Sequence, residues 1–91
     1  MAKHYLKTVQ PYFDECWNGF KTFEVRKNDR NFQKDDIVVL QEYDAVEKVY
    51  SGKELKITIT YLLPEFELIY LGACVFSFKI LDYFIKGEGR Q

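Results

Sequence analysis

Cysteine is scarce in this chain: two in 91 residues, Cys16 and Cys74, lying 58 positions apart with no CxxC pair between them. Neither a disulfide framework nor a zinc site is written in that spacing, and it points to a reducing cytoplasm. The single histidine, His4, has no second partner in sequence for an acid/base pair and reads as a surface or strand-end residue. Two prolines and five glycines are too few for a linker or a low-complexity tract. Long hydrophobic runs are missing as well. The opening MAKHYLKTVQ holds no apolar run of signal-peptide length, and later apolar stretches are interrupted by Pro64, Gly72 and charges, so no export signal, membrane span or membrane partner is expected. Nothing asks for a metal or another cofactor. Net charge is only −1, which argues against a generic polycation.

What the chain does have is aromatic bulk: eight Phe, seven Tyr and one Trp within a 47% hydrophobic composition. That supply suits one small folded domain over residues 1–91 and argues against disorder. Pro11 suits a first helical turn, Tyr12, Phe13, Cys16 and Trp17 share one helical face, and Asn18-Gly19 is a stop signal. Two turns cannot stand alone, so this face must be held by packing.

From residue 22 the period changes to two. Phe23 and Val25 point one way, while Thr22, Glu24, Arg26 and Asn28 point the other. Residues 36–43 are apolar on both faces over four positions, as in a strand covered on both sides. Residues 55–61 alternate cleanly, and 74–80 repeat the pattern with Phe76, Phe78 and Ile80 inward. The stretch 50–53 reads as a hairpin turn, 64–72 as a connection anchored by Phe66, Leu68, Ile69 and Leu71, and 87–91 as a fraying end. With a short strand at 4–7, the expected fold is mainly β (α+β): a small, partly closed barrel of about five strands with one or two short helices packed against it.

The charge is segregated. Between 21 and 34 lie Lys21, Arg26, Lys27, Arg30 and Lys34 against Glu24 and Asp29, a local excess of three positive charges, with Asp35, Asp36, Glu42, Asp44 and Glu47 following. Lys21 and Arg26 can bind a phosphate or carboxylate, and Glu24 can orient them or accept from a base. Equally, Glu24 and Arg26 can be plain ion-pair partners on a strand, and Lys27 and Arg30 solvated charges.

Gly19-x-Lys21-x-x-Glu24-x-Arg26 resembles the signature of ASCH domains in the PUA-like superfamily. The continuation Lys27-Asn28-Asp29-Arg30 resembles a small ASCH/PUA branch of bacterial and phage proteins. His4-x-Leu6-Lys7, Tyr12-Phe13, Asp36-Ile37, Glu42-Tyr43-Asp44 and Tyr50-Ser51-Gly52 follow in that branch's order, so the likeness covers about residues 4–80. The resemblance implies a PUA-like barrel that binds RNA or a nucleotide-like ligand in a cleft between helix and barrel. Lys21, Glu24 and Arg26 would line the cleft, and Lys27, Asn28 and Arg30 would extend it. The chain has Asp35 where the family usually has Gly, so a positive φ there would be strained.

Two other functions remain open. ASCH-like acetylcytidine amidohydrolases use a Lys and a Thr three residues later, but here Glu24 stands at the Thr position, with Thr22 nearby. A non-catalytic interaction module is the third reading, and the oligomeric state is not legible. Among the aromatics, Trp17, Phe76 and Phe78 read as core, whereas Tyr43, Tyr50 and Tyr61 can be stacking platforms or wet-edged core. Glu65 and Glu67 read as a solvated loop face, and both cysteines as small buried hydrophobes.

Overall fold

The computed structural model describes residues 1–64 and 72–86. The expected anchors and Glu65/Glu67 of the 64–72 connection, and the 87–91 end, fall outside the described residues. The elements are β1 (Lys3–Thr8), α1 (Tyr12–Trp17), β2 (Phe23–Lys27), β3 (Ile37–Asp44), β4 (Val49–Leu63) and β5 (Ala73–Ile85). All five strands form one sheet in the order β1-β3-β4-β5-β2. β1 runs parallel to β3, and every other pairing is antiparallel. The fold is mainly β, a five-stranded half-barrel with one short helix among the described residues.

The two end strands face each other across a seam that side chains, not a backbone ladder, bridge. Arg26 of β2 donates to the Lys7 carbonyl (3.1 Å) and to Thr8 Oγ1 (3.1 Å) on β1. Arg30 donates to the Tyr5 carbonyl at 3.0 Å. A guanidinium with five donors in a rigid fork suits this task, because it satisfies an open strand edge from the opposite strand.

The core lies inside the curl. Leu6, Phe13, Phe32, Leu40, Leu55, Ile57, Ile59 and Phe76 are buried together with Cys16 and Cys74, and Trp17 and Ile80 pack on them. Each large side chain so buried contributes roughly 1.5–3 kcal/mol. Helix α1 is held as its pattern requires: Phe13 and Cys16 point inward, while Tyr12 stays half exposed. Gly19, at φ +82°, ends the helix, and the Glu15 carbonyl then accepts from both the Phe20 and Lys21 amides at 2.9 Å. That hook fixes where Lys21 leaves the helix.

Three sequence expectations change. The stretch 50–53 is not a turn but lies within β4. The hairpin turn sits at 45–48, where Asp44 Oδ1 accepts from the Val46 and Glu47 amides (2.9 and 3.0 Å) and Lys48 takes a positive φ. Gly52, at φ +97°, marks a bulge in β4 where Lys86 Cβ approaches within 3.0 Å of the place a Cβ would occupy. β4 and β5 also extend well past the alternating runs 55–61 and 74–80. Finally, His4 is buried, because parallel pairing of β1 with β3 sets it beside Asp36, with His4 Nε2 and Asp36 Oδ2 2.8 Å apart.

Candidate functional site

β2 carries its polar face inward. Glu24 is only 3% exposed, whereas Phe23 and Val25 are 47% and 59% exposed. The usual arrangement of a half-buried strand is thus inverted, and a carboxylate enters the core only with partners at hand.

Those partners are the signature residues. Lys21 Nζ donates to Glu24 Oε2 (2.5 Å) and to the Phe23 carbonyl (2.8 Å). Arg26 Nε donates to Glu24 Oε1 at 2.8 Å. The Cys16 Sγ lies 3.6 Å from Oε2 and donates its weak S–H there. Each carboxylate oxygen therefore faces one cation, and Glu24 acts as the clamp that orients both. Burial, and then the adjacent Glu24 charge, push the Cys16 thiol up to about 12, so it stays protonated as a donor. Burial likewise raises Cys74, helped by the Asp29 carboxylate.

A cleft of about 460 Å³ opens over this cluster. Lys7, Thr8 and Val9 from the end of β1, Tyr12 from α1, and Lys21, Phe23, Glu24, Val25 and Arg26 line it. Two cations, Lys21 and Arg26, thus hold one carboxylate, while Lys7 meets the cleft through its carbonyl, which accepts from Arg26, and the rest of the wall is largely apolar or aromatic. Lys21 Nζ lies 5.8 Å from the Tyr12 ring centroid and 5.0 Å from that of Phe23, so both rings flank the ammonium. The cleft follows from topology: it is the open end of the seam between β1 and β2, roofed by the helix that connects them.

The structure brings Lys21, Glu24 and Arg26 together and leaves Lys27, Asn28 and Arg30 outside the cleft wall. Lys27 has the strand parity of Val25 and is exposed. Asn28 Oδ1 accepts from the Phe32 amide at 3.2 Å, which shapes the loop after β2. Arg30 is committed to the β1 edge. Sequence reasoning missed Lys7, Thr8 and Tyr12 as cleft residues. Tyr12 stood in the helical face read as core, and only tertiary pairing brings β1 alongside β2.

The second buried polar cluster is structural. Asp36 Oδ1 accepts from the Ala2 amide (3.0 Å), and Oδ2 meets His4 Nε2 and accepts from the Gln33 amide (3.0 Å). Burial would raise this carboxyl, but the hydrogen bonds from His4, Ala2 and Gln33 outweigh it and hold Asp36 below its ordinary value of 3.8. Asp35, immediately before it, takes φ +74°, a strained conformation for a residue other than glycine.

Tyr43 and Tyr50 pair across β3 and β4 with ring centroids 4.9 Å apart, and Lys7 Nζ sits 4.6 Å from the Tyr43 centroid. Trp17 packs edge-on to Tyr83 at 4.8 Å. Among the described residues no group of three His, Cys, Asp or Glu side chains is placed to hold a metal ion, and no helix is long and apolar enough to cross a membrane.

Residues 3–78 match the family described as Domain of unknown function (DUF3850). The chain belongs to this family. The match spans β1 to the middle of β5, so the DUF3850 segment contains every residue that lines the cleft. The chain is also similar to a curated relative described as "Uncharacterized 12.9 kDa protein in GpA 3'region" of Escherichia phage P2, at 39% identity over 61 residues. That alignment covers 66% of this chain and 54% of the phage protein, so the chain spans about half the length of the relative.

Proposed function

We propose that this DUF3850 domain is an ASCH-type, PUA-like module that binds RNA or a nucleotide-like ligand in the β1/β2 cleft. One observation carries the reading: Lys21, Glu24 and Arg26 converge on one open cleft, with both cations held by a buried carboxylate and two aromatic rings at the rim. Preorganised cations suit phosphate, and exposed rings suit a base. The half-barrel with a helix between its end strands supports the same placement. Two buried free cysteines fit a reducing cytoplasm.

The amidohydrolase reading has less support. Glu24 occupies the place of the nucleophilic Thr, and Thr22 is exposed and outside the cleft wall. Thr8, which does line the cleft, accepts from Arg26 and donates to the Leu6 carbonyl at 3.4 Å, so its hydroxyl is engaged.

The test is a titration of labelled mixed-sequence RNA with wild type and Lys21→Ala at several salt concentrations. With Lys21 and Arg26 meeting phosphates, log affinity falls with log salt at a slope of about −1.4 for a single strand. Lys21→Ala weakens binding while the circular dichroism of the fold persists. Unchanged affinity in a folded Lys21→Ala variant, or binding indifferent to salt, refutes the proposal. Acetate release from acetylcytidine that disappears in Lys21→Ala would favour the hydrolase instead.

A further inference from the structure

The outer face of the sheet beside the cleft carries a second feature that neither the signature nor the family assignment covers. In the register of β2, β5 and β4, Phe23 pairs with Ser77, and Ser77 with Tyr61. Directly paired residues share a face, so these three side chains form one row across three strands. Both rings in it stand in solvent, Phe23 at 47% and Tyr61 at 64% exposure. Two strand spacings separate them, about 10 Å. Between them Ser77 Oγ and Thr60 Oγ1 share a hydrogen bond of 2.8 Å.

The charge around this row is mainly positive. Lys27 on β2 and Lys79 on β5 are exposed on the same face, and Lys56 of β4 stands there too, paired with Asp82 of β5, the carboxylate at the next outward position beyond Lys79. In a chain of net charge −1 that local excess of cations is selective.

The row is also continuous with the cleft. β2 is an end strand, and the cleft takes Glu24 and Arg26 from its inner face and Phe23 and Val25 from its outer face. The cavity therefore wraps over the free edge of β2, and Phe23 belongs to both surfaces, with the Lys21 ammonium 5.0 Å from its ring centroid.

We infer that a single-stranded nucleic acid whose one nucleotide enters the cleft continues over the edge of β2 and stacks successive bases on Phe23 and Tyr61, its phosphates drawn by Lys27 and Lys79. This rests on the RNA reading of the cleft and extends it from a one-nucleotide site to a strand track. Exposed rings on an open strand face, flanked by an excess of cations, fit unpaired bases; a duplex would hide the faces that stack.

Binding of labelled oligouridylates as a function of length tests the track. Wild type gains affinity as the strand lengthens from about three to about ten nucleotides. Tyr61→Ala binds the short strand like wild type and the long one roughly 5- to 140-fold more weakly, while Tyr61→Phe keeps wild-type affinity. Lys79→Ala makes the salt slope for the long strand shallower by about 0.7. Equal affinity of wild type and Tyr61→Ala for the long strand, with Lys21→Ala still impaired, overturns the track and leaves the cleft reading standing. Absence of binding by wild type at any length overturns both. A concentration-dependent dimer that Tyr61→Ala dissolves would assign the face to a second copy and overturn the track as well.

Discussion

Replacing Glu24 by Gln removes a charge without changing the shape of the side chain. In the native fold each carboxylate oxygen accepts from a cation, Oε2 from Lys21 and Oε1 from Arg26, and Oε2 also receives the Cys16 thiol. An amide can satisfy only one side. Its oxygen serves Arg26 or Lys21, and its NH2 then faces the other cation, donor against donor. Breaking a buried pair from one side costs about 3–5 kcal/mol. Here the Lys21 and Arg26 side chains remain 19% and 24% exposed, so water returns part of that. The expected loss is about 2–3 kcal/mol, which for a domain of this size lowers Tm by roughly 10–20 °C. Urea unfolding followed by circular dichroism and by Trp17 fluorescence measures it, with an unchanged m-value as the sign that only stability moved. Anion binding should change in the opposite direction: with their clamp neutral, Lys21 and Arg26 hold an added phosphate more tightly, so phosphate raises Tm more in Glu24→Gln than in wild type. A loss below about 0.5 kcal/mol would refute the view that Glu24 is a buried clamp. It would make the carboxylate a solvated partner.

Asp35→Gly relieves a non-glycine residue at φ +74° and should stabilise the domain by about 0.5–1 kcal/mol net of the extra chain entropy of glycine, read as a rise in the urea midpoint. Asp36 has a folded pKa below its ordinary 3.8, so its contribution is complete above that pH and is lost as pH falls through the folded value. Acid unfolding monitored by near-ultraviolet circular dichroism should therefore begin below about pH 4, and Asp36→Asn, about 2 kcal/mol less stable at pH 7, should lack that component of the acid dependence. Cys16 and Cys74, buried and with raised thiol pKa values, should resist a thiol reagent at pH 8 in the native protein and react fully in denaturant. Rapid native labelling would contradict the packing around Glu24.

Local patterns were legible where neighbours in sequence decide them. The helix over Tyr12–Trp17 and its stop at Gly19, the alternation of 55–59 and 74–80, and the polar face of β2 all follow from side-chain periodicity and backbone preference. Tyr61, expected on the apolar face, is instead turned outward by a bulge between Ile59 and Tyr61. The Ser51-Gly52 signal was a true sign of unusual backbone, but a positive φ serves a bulge as well as a turn, and the actual turn depended on the Asp44 side chain capping two amides. His4 was unreadable because its partner is 32 positions away and reaches it only through the parallel β1/β3 pairing.

The sequence by itself determined a small mainly β domain, a short helix and a run in which Lys21, Glu24 and Arg26 recur on strand spacing. Strand spacing alone left open which face of β2 turns inward, since either set of side chains alternates equally well. Tertiary structure decided it. β2 closes the half-barrel opposite β1, where Arg26 satisfies the carbonyl edge of β1 and Glu24 must neutralise the cations brought there, so the charged face goes in and Phe23 and Val25 go out. The cleft exists because two strands distant in sequence meet at a seam that side chains bridge.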